Sequence, residues 1–225
     1  MSVTADHGHD GHHKDLAHHF FNMDQQNAAN KLGMWVFLVQ ELLFFGGLFM
    51  AYISMRFLYP ETFHHAYEHL SIPMGATNTI VLLTSSLTMA LAVRAAQTNE
   101  PKKMLVHLGL TIAFACTFLV VKYFEYSHKF HEGLLPGKYF AGWELTPLEK
   151  VNDAPQLFFA VYFMMTGVHG LHVLIGIGLL AWLMVRTKRG DFSPTNYSAV
   201  ENIGLYWHLV DLIWIFLFPL LYLVK

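Results

Sequence analysis

The chain has 225 residues, of which 54% are hydrophobic and 13% are charged, and its formal net charge is −2. It is too apolar for an ordinary soluble domain, and it has no basic face to neutralise phosphates, which excludes a nucleic-acid partner. Its single cysteine, Cys116, lies in an apolar run and excludes a disulfide framework, a thiolate-rich metal centre and redox chemistry by cysteine. The composition predicts an integral membrane protein.

Five apolar runs are each long enough to cross a bilayer, because a helix needs about 20 residues to span roughly 30 Å of hydrocarbon. The runs are unbroken rather than alternating at every second residue, which favours helices over the strands of a barrel. The predicted fold class is an all-α, polytopic membrane bundle of five transmembrane helices. The predicted spans cover approximately residues 31–58, 78–97, 104–129, 155–186 and 201–224.

Residues 1–30 are polar, contain six of the fifteen histidines and include no secretory signal. We predict a His-rich cytoplasmic tail at 1–30 and a five-helix transmembrane domain at 31–225. Clustered histidines can bind transition metals, but without a rigid scaffold they form loose sites, so a solvated tail is favoured over a metal site.

The basic residues that flank the spans predict the orientation of the chain. Eight lie on the side of the N-terminus and five on the other side, which favours a cytoplasmic N-terminus. Five crossings then place the C-terminus and the segment 130–154 outside. The eight are Lys14, Lys31, Arg94, Lys102, Lys103, Arg186, Lys188 and Arg189; the five are Arg56, Lys129, Lys138, Lys150 and Lys225.

Several ionisable residues lie within the spans, where an unpartnered charge is costly. Glu41 lies roughly 15 Å along the first helix from Lys31, near the middle of the bilayer. It is either a proton-relay carboxylate or a protonated or hydrogen-bonded structural residue that faces another helix, and the second interpretation is favoured.

His169 and His172 are three residues apart and therefore share one face of the fourth span, which Gly176 continues. Small residues let a neighbouring helix approach, and imidazoles can form hydrogen bonds across such a contact. Haem ligation needs axial histidines from facing helices, and the chain offers no second matching pair. A structural role in helix packing is favoured over haem binding.

Glu125 and His128 form one Glu-x-x-His motif, whereas a di-iron bundle uses two such motifs and two further glutamates. The spacing of Lys122 and Glu125 instead predicts an ion pair within the third span.

Glu201, His208 and Asp211 fall within one sector of the last helix, which predicts a polar face directed into the bundle or toward a partner subunit. We expect His208 and Asp211 to be hydrogen-bonded, with His169 or His172 as candidate partners, and to tie helices together rather than to form a proton path. Trp207 and Trp214 are predicted to lie on the opposite side, in contact with lipid or another chain.

A set of motifs in a specific order resembles subunit III of the haem-copper terminal oxidases. The resemblance extends from about Lys31 to Leu223, so only the tail lies outside it. The motifs are LGMW at 32–35, QELLFF at 40–45, NT at 78–79, SS at 85–86, EY at 125–126, TGVHGLHV at 166–173, Glu201, and YWHLVD at 206–211.

The resemblance implies an accessory subunit of a cytochrome c oxidase in a bacterial inner membrane, with no redox centre of its own. Haems and copper would reside in subunits I and II, which would be its partners. The family's third subunit stabilises the catalytic subunit, supports proton uptake and binds phospholipid. Glu41 matches the family's intramembrane glutamate, and Arg186 and Arg189 match basic positions associated with lipid headgroups.

The chain departs from the family's seven-helix pattern because the two N-terminal helices are missing. One wall of the lipid cleft would then be absent or supplied by another subunit. The shorter form resembles bacterial third subunits, including those of quinol oxidases, which is one alternative. Two alternatives of other classes are an independent proton or ion transporter that uses Glu41, His208 and Asp211, and a metalloenzyme that uses the histidines.

Overall fold

The computed structural model describes residues 20–66, 70–136, 154–193 and 196–223. Within these ranges, five helices are long and apolar enough to cross a membrane, which confirms the predicted all-α bundle. Most of the predicted tail and of the segment 130–154 lies outside the described residues. The elements are α1 (Met23–Leu58), α2 (Pro60–Ala66), α3 (Ile72–Gln97), α4 (Pro101–His131), α5 (Ala154–Arg189), α6 (Ser198–Phe218) and a π-helical segment (Pro219–Leu223).

The first helix begins at Met23, well before the predicted start of the span at Lys31. Asn22 caps it, because its side-chain oxygen accepts a hydrogen bond of 2.8 Å from the backbone N–H of Gln25. Asp24 lies in the first turn, where a negative charge complements the helix dipole. A helix of 36 residues is about 54 Å long, so α1 extends beyond the hydrocarbon.

The connection between α3 and α4 is a tight corner formed by residues 98–100, which we call the α3–α4 corner. Asn99 adopts a left-handed backbone conformation with φ of 57°, which asparagine tolerates better than most residues. Pro101 then occupies the first turn of α4, where its missing N–H costs no helical hydrogen bond. These features bring the last turn of α3 beside the first turns of α4.

The helices pack around α6, which contacts α1, α3 and α5, while α4 packs against α3 and α5. The prediction that Trp207 and Trp214 face lipid or another chain is wrong, because both are fully buried. Their indole N–H groups donate hydrogen bonds of 3.1 Å to the hydroxyls of Ser85 and Thr79, both on α3. The side of α6 that was predicted to be exposed is therefore covered by α3.

Gly176 of α5 explains how the ring of Trp207 fits between the helices. The ring of Trp207 lies directly over Gly176, where an added Cβ would be only 2.7 Å from Cε3 of the indole. Gly176 thus allows α5 and α6 to approach closely, as its position on the histidine face suggested.

The first helix is peripheral by contrast, and only Phe45 and Tyr52 of α1 are buried.

Candidate functional site: polar contacts inside the helix bundle

The first polar contact joins α1 to α5 near the middle of both helices. Nε2 of His172 lies 3.1 Å from Oε2 of Glu41, and the two side chains are 15% and 12% exposed. The ring of Phe45, one turn further along α1, packs edge-on against the imidazole with 5.3 Å between the centroids. Glu41 therefore faces another helix and has a defined partner.

The contacts of His172 determine where its hydrogens lie. Its Nδ1 is 2.8 Å from the carbonyl oxygen of Val168, which can only accept a hydrogen bond, so Nδ1 carries a hydrogen. Nε2 then either carries a second hydrogen beside an ionised Glu41 or accepts a hydrogen from a protonated Glu41. A hydrogen bond at Nε2 therefore requires one hydrogen between the two side chains, whichever of them carries it.

Two further contacts fix α6 against the same pair of helices. The hydroxyl of Tyr206 donates a hydrogen bond of 2.9 Å to the backbone oxygen of His172. Nearer the end of the bundle, Nζ of Lys31 lies 3.4 Å from Oε2 of Glu201, with side chains that are 54% and 32% exposed. Ion pairs this exposed contribute about 0 to 1 kcal/mol to stability. The Lys31–Glu201 contact therefore shows which turns of α1 and α6 lie side by side, but it stabilises the two helices little.

Glu201, His208 and Asp211 do not form one polar cluster, although the sequence places them on one face. His208 pairs with α3, since its Nδ1 is 2.7 Å from the hydroxyl of Ser86. Asp211 is buried at 2% exposure, and neither carboxylate oxygen has a hydrogen-bond partner within the described residues. Ser86 lies near Asp211 but does not form a hydrogen bond with either carboxylate oxygen. The partner of His208 is thus Ser86, rather than His169 or His172.

The two histidines of α5 face different surroundings. His172 pairs with α1, whereas His169 is fully buried between the rings of Phe118 on α4 and Trp214 on α6, at centroid distances of 5.5 and 5.2 Å. Neither nitrogen of His169 has a hydrogen-bond partner among the residues that the structure describes. The imidazole ring therefore makes aromatic packing contacts, which is consistent with a role in helix packing.

The most completely satisfied polar group is the carboxylate of Glu125, on α4. Nζ of Lys122 donates to its Oε2 at 2.9 Å, which is the ion pair that the spacing predicts. Its Oε1 accepts hydrogen bonds from the hydroxyls of Tyr162, at 2.8 Å, and Tyr222, at 2.5 Å. Nζ of Lys129 lies 3.8 Å from the same oxygen. We call these five residues the Glu125 cluster.

The Glu125 cluster connects three parts of the fold, because Tyr162 belongs to α5 and Tyr222 to the π-helical segment at the end of the chain. The ammonium group of Lys122 also lies 4.7 Å from the ring centre of Trp214, so α6 participates through a cation–π contact. The sequence prediction found the ion pair but missed both tyrosines. A tyrosine in an apolar span needs a partner for its hydroxyl, and this was the available signal.

The two side chains of the Glu-x-x-His motif of α4 have different partners. Glu125 is directed into its cluster, while Nε2 of His128 lies 3.1 Å from Oε1 of Glu132 at the end of the helix. Across the described ranges, no three His, Cys, Asp or Glu side chains are grouped so that they could hold a metal ion.

Arg186 and Arg189 lie at the end of α5, on the same side of the bundle as the start of α1. Nε of Arg186 donates a hydrogen bond of 2.9 Å to Asp191, and its guanidinium lies over the rings of Trp182 and Phe192. Arg189 is exposed and forms no ion pair within the part of the chain that the structure describes. The two guanidinium groups are therefore not equivalent.

Apolar helices of membrane-spanning length, with polar groups bonded between helices, define a multi-pass membrane protein. The profile of the cytochrome c oxidase subunit III family matches residues 13–132 and 150–225. The chain belongs to this family and is a subunit III of a terminal oxidase, which associates with other oxidase subunits.

Relatives from three bacteria resemble nearly the whole chain. The cytochrome c oxidase subunit 3 of Synechocystis is 32% identical over 219 residues, covering 97% of this chain and 79% of that protein. The cytochrome c oxidase subunit 3 of Corynebacterium diphtheriae is 30% identical and covers 86% and 87%. The probable quinol oxidase subunit 3 of Staphylococcus saprophyticus is 27% identical over 212 residues and covers 93% and 97%.

Proposed function

We propose that this chain is the accessory, non-redox subunit III of a proton-translocating cytochrome c oxidase in a bacterial inner membrane. Subunits I and II are its partners and carry the haems and copper. In this role the chain stabilises the catalytic subunit, supports proton uptake and binds lipid. It contains no catalytic centre of its own.

The observation that carries the proposal is the contrast between carboxylates that are bonded between helices and an apolar exterior. Glu41 is already paired with His172, and the Glu125 carboxylate is fully engaged by its neighbours. The outer side of α1, by contrast, exposes large apolar side chains such as Trp35, Leu43 and Phe57. This combination suits a subunit that presents an apolar surface to lipid and to a larger membrane partner.

A role in proton uptake is supported by the Glu41–His172 contact. The pair places a carboxyl group and an imidazole, both able to accept and to donate a proton, within hydrogen-bond distance on facing helices. A proton can pass from one to the other without changing the net charge of the pair, and a net charge within the membrane would be costly. We propose Glu41 as the residue that matters for sustained turnover of the complex.

Lipid binding is proposed at the end of α5. Guanidinium groups bind phosphate with paired hydrogen bonds, and Arg189 is exposed with its donors available. Arg186 is partly engaged by Asp191, so it would contribute through its remaining N–H groups. Glu41 belongs to the lipid-facing helix α1 and is proposed to border the acyl chains.

The electron donor is proposed to be cytochrome c rather than a quinol. The relatives named as cytochrome c oxidase subunits are 30% and 32% identical to this chain, against 27% for the probable quinol oxidase subunit. The quinol alternative is separated by measuring oxygen consumption of the complex with reduced cytochrome c and with a reduced quinol.

The test of the whole proposal is purification through a tag on this chain in mild detergent. Larger subunits with haem bands in the visible spectrum should co-purify. A complex prepared without this chain should keep its haem spectrum but lose activity after fewer turnovers. Recovery of the tagged chain without haem-bearing partners, or equal durability of the complex without it, would contradict the proposal.

A further inference from the structure

One side of α6 is open to the outside of the bundle. Its residues recur at alternating intervals of three and four, which is the spacing of a single helix face. Leu212 and Ile215 are 44% and 41% exposed, and the two residues that precede them on this face are half-buried. We call this side the outer face of α6, and it consists of Leu205, His208, Leu212 and Ile215.

His208 is the polar residue of the outer face, and it lies deep in the membrane. It is about 15 Å along α6 from the first residue of the helix, Ser198, at a rise of about 1.5 Å per residue. The hydrocarbon core of a bilayer is roughly 30 Å thick, so this depth is near its middle. Lipid tails provide no hydrogen-bond partner there.

The two ring nitrogens of His208 have different surroundings. Nδ1 is 2.7 Å from the hydroxyl of Ser86 on α3, whereas Nε2 forms no hydrogen bond within the described ranges. Nε2 is also not enclosed by the bundle, as both nitrogens of His169 are. The bond to Ser86 therefore satisfies the inner side of the ring and leaves an unpaired polar atom on its outer side. An unpaired polar group in hydrocarbon costs free energy.

The chemistry of the ring indicates what kind of group would complete it. The hydroxyl of Ser86 can donate to Nδ1 or accept from it, so Nε2 either accepts a hydrogen or carries one. A hydroxyl or amide side chain can bond to Nε2 in both cases, and it brings no charge into the membrane.

The remaining residues of the outer face indicate which element would carry that group. They are apolar, and an alternating spacing of three and four is the one at which two helices pack with a crossing angle of about 20°. Lipid tails could cover the leucines but could not bond the imidazole. A second membrane helix satisfies both requirements.

We propose that the outer face of α6 docks a transmembrane helix of a partner subunit, and that Nε2 of His208 forms a hydrogen bond with an uncharged polar side chain of that helix. A single polar contact in an apolar helix interface fixes the register of the two helices. The inference rests on the proposed oxidase complex, which supplies the helix. It requires nothing of the proposed role of Glu41.

The first test locates the partner by photocrosslinking in the intact complex. The photoreactive amino acid benzoylphenylalanine replaces Leu212, which lies one turn from His208 on the same face. Illumination should link this chain to a larger, haem-bearing subunit. The matched control is the same probe in place of Leu110, which is 43% exposed on α4, across the bundle from α6. It should yield far less linked protein.

The crosslinking result separates this inference from the proposed function. Absence of linked protein from position 212, in a complex that still contains the haem-bearing subunits, would overturn the docking site and leave the proposed function intact. A link to a second copy of this chain, or equal linkage from both positions, would also overturn it.

The second test asks whether Nε2 of His208 makes the contact, and it measures retention of the chain when the complex is diluted in mild detergent. His208→Leu should raise the apparent dissociation constant about 3- to 30-fold, the range expected for one interhelical hydrogen bond in a membrane. His208→Gln keeps a donor and an acceptor and should recover most of that loss.

Ser86→Ala is the control for retention, because it removes the internal bond but leaves Nε2 in place. It should be retained like the wild-type chain. Equal loss in Ser86→Ala and His208→Leu would trace the effect to the internal bond, and wild-type retention in His208→Leu would leave Nε2 without a role. Either result overturns the proposal.

Discussion

Nε2 of His172 lies 3.1 Å from Oε2 of Glu41 across the contact between α1 and α5. The hydrogen bond from Nδ1 of His172 to the backbone oxygen of Val168 orients the imidazole. Since α1 is otherwise peripheral, this contact is one of the few polar connections between the first helix and the rest of the bundle. Its energetic and functional contributions can be measured separately.

We predict a coupling energy of about 0.6 to 2 kcal/mol between Glu41 and His172 in a double-mutant cycle with alanine, measured by unfolding in SDS titrations. The matched control is the His128–Glu132 pair, which has the same residue types and the same 3.1 Å distance but a histidine side chain that is 72% exposed. Its coupling should be below about 0.5 kcal/mol because water competes for the contact. Equal coupling in the two pairs would contradict the argument.

The same site should affect the durability of the complex. Glu41→Ala removes the carboxyl group that faces Nε2 of His172, whereas Glu41→Gln retains a hydrogen-bond donor for that nitrogen. We expect activity over many turnovers to decline fastest in Glu41→Ala and less in Glu41→Gln, with assembly largely intact. Wild-type durability in both variants would reduce Glu41 to a packing residue.

A further prediction concerns the Glu125 cluster. Tyr222→Phe removes a hydroxyl that donates to Glu125 and accepts from Lys122, and it should destabilise the chain by about 1 to 3 kcal/mol. Glu125→Leu should cost more, about 3 to 5 kcal/mol, because it leaves the buried Lys122 without its anion. Tyr123→Phe is the control, since Tyr123 is 70% exposed on the same helix and should be neutral.

These two sites show how far the sequence leads. The Lys122–Glu125 pair follows from helical spacing alone, because residues three apart on a helix always lie near each other. The contacts of Glu125 with Tyr162 and Tyr222 join distant parts of the chain, and helical periodicity carries no information about which helices are neighbours. The five spans, in contrast, were predictable from the sequence. The length of a hydrophobic run depends only on the segment that contains it and not on its neighbours.

The burial of Trp207 shows a second reason for failure. A membrane helix can bury an apolar side chain or expose it to lipid at similar cost, so hydrophobicity does not identify its inner side. The polar residues of α6 suggested one inner face, but α3 covers the tryptophan side as well. Ser85 and Gly176 can be read from the sequence. Only the packing of the helices shows that both of them contact Trp207.

A substitution at Gly176 tests that packing. Gly176→Ala places a methyl group against the fully buried ring of Trp207, which cannot move away, and it should cost about 1 to 3 kcal/mol in SDS unfolding titrations. Gly178 lies on the same helix, and a Cβ there would meet nothing within 4 Å. Gly178→Ala should therefore be neutral or slightly stabilising, by up to about 1 kcal/mol. A similar loss in both variants would argue against close approach at Gly176.

The orientation in the membrane is also predicted. The excess of basic residues beside the N-terminus, together with five crossings, places the N-terminus in the cytoplasm. Reporter fusions at Thr98, Lys138 and Lys225 should read inside, outside and outside. A fusion at Thr98 that reads outside would invert the topology and move the α3–α4 corner to the external face.

The last prediction separates Asp211 from His208, which the sequence placed in one polar face. His208→Leu removes a hydrogen bond to Ser86 and should cost about 0.6 to 2 kcal/mol in SDS unfolding titrations. Asp211→Leu removes a buried carboxyl group that has no hydrogen-bond partner within the described residues, so it should be neutral or stabilising.

Asp211→Asn is the control for the shape of the side chain, because it keeps the size and retains an unpaired polar group. It should behave like the wild-type protein, and it should therefore be no more stable than Asp211→Leu. Because Asp211 is buried within this chain at 2% exposure, retention of the chain in the complex should not change in either variant. A loss above about 3 kcal/mol in Asp211→Leu would reveal a bonded partner for the carboxyl, since breaking a buried pair costs that much.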